Sequence, residues 1–150
     1  LGNVLALLAR LQPAGQTNIS GSLNQIAAML RHRSLLIVFS DLLSDPDEIV
    51  GALHRLRHGG HDVILFHILD EAEVQFPFDG MVEFEEPETE DRLLVDASDF
   101  RADYLAEVES FRDNLRRECY QSGVDYVELD TSMPFDRALM EYLISRKARC

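Results

Sequence analysis

Hydrophobic and polar positions alternate between two periods along this chain, and the changes of period mark its elements. Val4 to Leu11 is apolar at helical spacing and stops before Pro13-Ala14-Gly15. Thr17 or Asn18 can cap a second helix running to about Arg31, with Ile19, Leu23, Ile26, Ala27 and Leu30 on one face. Ser34-Leu35-Leu36-Ile37-Val38-Phe39-Ser40 is a continuous apolar run that reads as a strand buried on both faces, with Asp41 directly after it. Ser44-Asp45-Pro46-Asp47-Glu48 supplies a cap, a first-turn proline and acids for the positive end of a third helix. That helix turns Ile49, Leu53 and Leu56 inward and ends near His58-Gly59-Gly60. Asp62 to Leu69 is a second buried strand.

The rhythm then changes. Phe76-Pro77-Phe78-Asp79-Gly80 is turn-rich, and Met81 to Glu85 and Arg92 to Val95 are short alternating strands that predict an inserted hairpin over about 81–95. Ser98 to Gln121 predicts a long amphipathic helix stopping at Gly123. Val124 to Leu129 is a third buried strand, and Phe135 to Arg146 a last helix. Strand, helix and strand in this order imply parallel pairing with a right-handed crossover, so the predicted class is α/β, a Rossmann-like parallel-sheet layer fold. Leu35 to Phe39 is too apolar for a comfortable edge. The expectation is that a missing N-terminal half, or a second copy of the chain, pairs beside it.

Composition narrows the function classes. The 150 residues suit one domain, and 46% hydrophobic with 27% charged residues is ordinary for a globular core. No apolar run approaches the roughly 20 residues of a membrane helix. The first residues lack a basic region and a cleavage site, so no signal peptide is read there. Cys119 and Cys150 form no disulfide framework and no metal knuckle, and a reducing cytoplasm is the simplest compartment. The net charge is -13, no acid precedes Asp41, and between Asp70 and Glu109 only Arg92 and Arg101 oppose the acids. Such a balance argues against nucleic acid and against anionic membranes.

Candidate chemistry is sparse. Asp41 follows a strand, where ligands of parallel α/β folds collect, and suits either a divalent cation or a turn-capping role. Asp45, Asp47 and Glu48 fit helix capping. Thr17, in Gly15-Gln16-Thr17-Asn18, could ligate an ion or cap a helix; no P-loop or nucleophile elbow accompanies it. His54 and His58 lie four apart with His61 beyond, yet no third zinc ligand is evident. His67 reads as a core histidine with a backbone partner, and neither cysteine has a histidine beside it in sequence.

Gly15-Gln16-Thr17-Asn18, followed by a strand ending Ser40-Asp41, resembles two of the three metal loops of von Willebrand factor A domains. Thr17 matches the loop that carries a threonine and Asp41 the loop that carries an aspartate. The Asp-x-Ser-x-Ser loop is absent and would precede Leu1, which makes the chain the C-terminal part of such a domain, N-terminally truncated. Ser40-Asp41-Leu42-Leu43, Gly60-His61-Asp62-Val63-Ile64-Leu65-Phe66-His67-Ile68-Leu69-Asp70, Phe76-Pro77-Phe78-Asp79-Gly80 and Gly123-Val124-Asp125-Tyr126 look like the bacterial "domain of unknown function fifty-eight" family, whose members are von Willebrand A-like and often encoded beside MoxR-type AAA+ ATPases. The resemblance implies a non-enzymatic protein-interaction module. It implies a MoxR-type ATPase as partner and an incomplete metal-ion-dependent adhesion site in which Thr17 and Asp41 hold Mg²⁺ or Mn²⁺ weakly. The alternative is a metal-dependent phosphate-ester hydrolase using Asp41, Asp45 and His67. Self-association through the first strand is a third expectation.

Overall fold

The computed structural model describes residues 2–12, 18–85 and 91–149. Its main sheet has three parallel strands in the order β1-β2-β5: β1 is Leu35–Ser40, β2 Asp62–Leu69 and β5 Asp125–Asp130. Two further strands, β3 (Met81–Glu85) and β4 (Arg92–Asp96), pair antiparallel as the predicted hairpin, from Met81 opposite Asp96 to Glu85 opposite Arg92. The helices are α1 (Gly2–Leu8), α2 (Ile19–Met29), α3 (Pro46–His58), α4 (Glu71–Gln75), α5 (Ala97–Ser122) and α6 (Phe135–Arg149). The parallel α/β layer class is therefore as expected.

Local chemistry explains most boundaries. Asp45 starts α3 by accepting from the amides of Asp47 and Glu48, with Pro46 in the first turn. Asn18, one of the two expected candidates, caps α2 by accepting from the Gly21 amide. Gly123 ends α5 at φ 70°, the left-handed conformation a glycine adopts without penalty. The short α4 was not anticipated, although Asp70 and Glu73 form a full capping box around its first turn.

Side-chain alternation along β2 divides the interior in two. Val63 and Leu65 face α2, α3 and α5 in the larger cluster with Leu23, Leu36, Ile49, Leu53, Leu56 and Leu115. Ile64 and Phe66 face the other way, where α6 brings Tyr142 edge-on to Phe66 at 5.4 Å. Both crossovers step the same way across the sheet, so α3 and α5 share the first face and α6 covers the second.

The expected burial of the outer strands is overturned: β5, read as a buried strand, lies at the edge of the sheet with all six residues half-buried. β1 is not buried on both faces: it is an edge strand whose Leu35, Ile37 and Phe39 are 55%, 52% and 61% exposed. The central place belongs to β2, and the residue of α6 that meets this face's core, Tyr142, sits on Phe66 rather than over β1. Phe39 stacks on its β2 neighbour Phe66, centroids 4.8 Å apart, and stays open on its outer side.

The hairpin docks through a separate aromatic group. Phe76, Phe78, Phe84, Phe100 and Tyr104 meet at centroid distances between 4.6 and 6.5 Å. Phe76 is at its centre, buried, with φ 44°. The Asp79 carboxylate and Gly80 amide both bond the Ser98 hydroxyl, which ties the hairpin entry to the start of α5.

Candidate functional site

The carboxyl ends of all three parallel strands carry an aspartate: Asp41 after β1, Asp70 after β2 and Asp130 at the end of β5. This is the edge at which parallel α/β sheets gather ligands. Each carboxylate also serves a turn. Asp41 Oδ1 accepts from the Leu43 amide at 3.3 Å and Asp70 caps α4. Asp130 accepts from the Ser132 amide at 2.8 Å, and that bond holds its carboxyl below the ordinary range. Thr131 bridges two of these ends, its hydroxyl bonding Asp70 and its amide the Leu69 carbonyl.

The Asp41 loop has an unusual backbone. Leu42 has φ 58°, a left-handed conformation that costs a branched residue free energy. Its side chain is 1% exposed within the larger core, and the Ser40 hydroxyl accepts its amide at 3.0 Å. Burial thus holds the strained turn in place and leaves the Asp41 side chain exposed. Beside α3 lies an open groove of about 470 Å³ between the starts of α2 and α3, lined among others by Asn18, Ser20, Asp47, Glu48 and Arg55. Ser20 donates to Glu48 at 2.8 Å across it.

Behind the loop runs a polar chain through the sheet. His67 is 2% exposed; its Nε2 lies 3.1 Å from the Asp41 carbonyl and its Nδ1 2.7 Å from the Tyr126 hydroxyl. Tyr126 in turn lies 3.1 Å from Glu128, whose carboxylate is gripped by Arg112 at 2.6 Å and Arg116 at 2.8 Å. Burial pushes His67 below its ordinary pKa against the pull of the Asp41 carbonyl and Glu128. Burial pushes Glu128 up, but hydrogen bonding and charge from Arg112, with the charge of Arg116, outweigh it, and the carboxyl sits below its usual range. The Tyr126 phenol is pushed far up by burial and by Glu128. The core role expected of His67 holds, including its backbone partner. The Tyr126–Glu128–Arg112 part went unseen. Its one legible trace is Arg112 and Arg116, four apart on one helical face.

Of the two expected metal ligands the structure describes Asp41. Thr17 lies outside the described residues. Among the described residues no three His, Cys, Asp or Glu side chains converge on one point. Asp45 caps α3 through one carboxylate oxygen, and both ring nitrogens of His67 lie against their two neighbours. The histidine trio also separates. His54 and His58 are exposed on a shallow groove with Arg57, Gln121 and Ser122, while His61 is 5% exposed with its Nδ1 unpartnered. Cys119 is buried, and burial pushes its thiol up to about 12, far from a nucleophile's range.

An α/β domain with an aspartate at the carboxyl end of each parallel strand is the class these observations define. The chain belongs to a known family: the model described as "Protein of unknown function DUF58" matches residues 1–114. That span runs from α1 into α5, so β5 and α6 lie beyond it. No curated protein and no solved structure matches the chain. No helix among the described residues is long and apolar enough to cross a membrane.

Proposed function

We propose that this chain is a non-enzymatic protein-interaction module that engages its partner at the strand-end face around Asp41. The observation that carries this reading is the division of labour at that face. Asp45 and Asp70 cap helices, Asp130 caps its turn and His67 is buried in the polar chain, whereas the carboxylate of Asp41, which accepts within its own loop through Oδ1, stays exposed beside the strained, buried Leu42. A fixed, exposed carboxylate beside an open polar groove suits recognition of a partner's cationic or metal-bound group. The resemblance to von Willebrand factor A domains supplies the finer proposal, in which the partner is a MoxR-type AAA+ ATPase and a Mg²⁺ or Mn²⁺ ion is shared between the two proteins.

The test is binding of the chain to a MoxR-type AAA+ ATPase, by interferometry, with Mg²⁺ or with chelator, for the wild type and Asp41→Ala. The expected outcome is binding that Asp41→Ala weakens at least about tenfold, the equivalent of 1.4 kcal/mol. Equal binding by the variant removes Asp41 from the interface. Phosphate-ester turnover dependent on Mn²⁺ and lost in Asp41→Asn would replace the reading with the hydrolase.

A further inference from the structure

The last two turns of α3 and the end of α5 form a shallow groove of about 460 Å³, lined by His54, Arg57, His58, Gln121 and Ser122. Both helices run into the amino ends of parallel strands, α3 into β2 and α5 into β5. The groove therefore lies at the opposite edge of the sheet from Asp41, which follows the carboxyl end of β1. His54 and His58 stand one turn apart on α3, both exposed. At that spacing two side chains share a helix face, with Cβ atoms about 5–6 Å apart. Among the described residues no hydrogen bond or ion pair engages either imidazole, nor the side chain of Gln121 across the groove. Arg57 is already spent. Its Nε and Nη1 donate to the carbonyls of Ser122 and His61 and to Asp62, whose carboxylate neutralises its charge. His61 stays out of the groove, 5% exposed with its ring against Gly59.

We propose that His54 and His58 together bind one divalent cation of the imidazole-preferring class, Zn²⁺ or Cu²⁺, with the side-chain oxygen of Gln121 as a third ligand and water completing the shell. Imidazole nitrogen suits these ions, whereas Mg²⁺ and Mn²⁺ prefer oxygen, so the site is distinct in chemistry as well as in place from anything at Asp41. Two histidines four residues apart on one helical face can reach a single zinc ion at about 2.0–2.1 Å from each ring nitrogen.

The setting favours a cation on three grounds. Both α3 and α5 end at the groove, and the carboxyl end of a helix carries negative partial charge. The net charge of -13 adds an attractive field. Two imidazoles four residues apart repel each other when both are protonated, and a shared ion replaces that repulsion with a bond to each. An anion meets the first two effects with the opposite sign, which decides against a phosphate-like ligand although His54, Arg57 and His58 all line the groove. Through Gln121 the ion joins α3 to α5, and because the unfolded chain does not hold these three side chains together, occupancy stabilises the native state.

Calorimetric titration of the whole chain with Zn²⁺ and with Cu²⁺ tests the site, in a Cys150→Ser background that removes the terminal thiol. The expected result is saturable one-to-one binding that His54→Gln and His58→Gln each weaken at least about tenfold, while His32→Gln leaves it unchanged. The three histidines are exposed, so these variants keep the core. Gln121→Ala should weaken binding less than either groove histidine variant does. Electron paramagnetic resonance of the Cu²⁺ complex should show coupling to two nitrogens, reduced to one in His54→Gln or His58→Gln. The absence of saturable heat with both ions overturns the proposal. So does binding that survives both substitutions, or a Cu²⁺ spectrum that neither of them alters. Equal affinity in Gln121→Ala overturns the part given to Gln121.

Discussion

The Tyr126 hydroxyl stands 2.7 Å from Nδ1 of His67, on adjacent strands and 59 residues apart in sequence. With the Asp41 carbonyl on Nε2 and Glu128 on the phenol, three contacts are made along one line. A neutral imidazole and a phenol bring two protons to them. The Asp41 carbonyl can only accept, so Nε2 carries the imidazole proton, and the phenol's one proton is shared between Nδ1 and Glu128. The arrangement holds His67 neutral and ties the Asp41 loop to β5 and α5.

Stability should therefore depend on pH in a defined window. His67 has a folded pKa below its ordinary 6.5, because burial disfavours its charge. The unfolded chain then binds the proton first as pH falls, so this contribution is complete above about pH 6.5 and is lost below it. Urea unfolding at pH 7.5 and 5.5 should show the lower stability at 5.5, and the difference should shrink in His67→Gln. Glu128, held below its ordinary 4.5, adds a separate loss that begins only under that value.

Tyr126→Phe should cost about 1–2 kcal/mol by leaving the buried Nδ1 of His67 without its partner. A double-mutant cycle with His67→Gln should give a coupling well above zero, since the two groups share one proton. Independent, additive effects in urea unfolding would contradict the shared bond.

Among the described residues, the two non-glycine residues with positive φ, Leu42 and Phe76, are 1% and 3% exposed. In each case burial of the side chain pins a turn that its backbone disfavours. Leu42→Ala should cost about 2–5 kcal/mol and Phe76→Ala about 3–5 kcal/mol. Amide exchange should separate them, with Leu42→Ala loosening the Asp41 loop and Phe76→Ala loosening the β3–β4 hairpin.

Cys119 should be silent toward a thiol reagent in the native protein and react only on unfolding, because its thiol is buried and raised to about 12. A Cys150→Ser variant titrated with a chromogenic disulfide isolates this thiol. Prompt native reaction would mean that α5 opens from the sheet far more readily than its packing indicates.

Much of this protein was written in its local pattern. The capping chemistry of Asp45-Pro46, the stop at Gly123, the alternation of β3 and β4 and the apolar runs of β1 and β2 each follow from interactions within a few residues. Such signals are short-range, so the chain order of helices and strands was legible, and with it the parallel α/β class. The strand-end position of Asp41 was legible for the same reason. Strand order was not: β1 and β2 are equally apolar runs, and only the packing of α3, α5 and α6 put β2 in the centre and left Leu35, Ile37 and Phe39 at the edge. Nor could any local pattern join Asp41, His67, Tyr126 and Arg112. Their bonds exist because parallel pairing sets β2 beside β5 and α5 crosses over both, a registration decided by burial of the whole sheet rather than by any one segment.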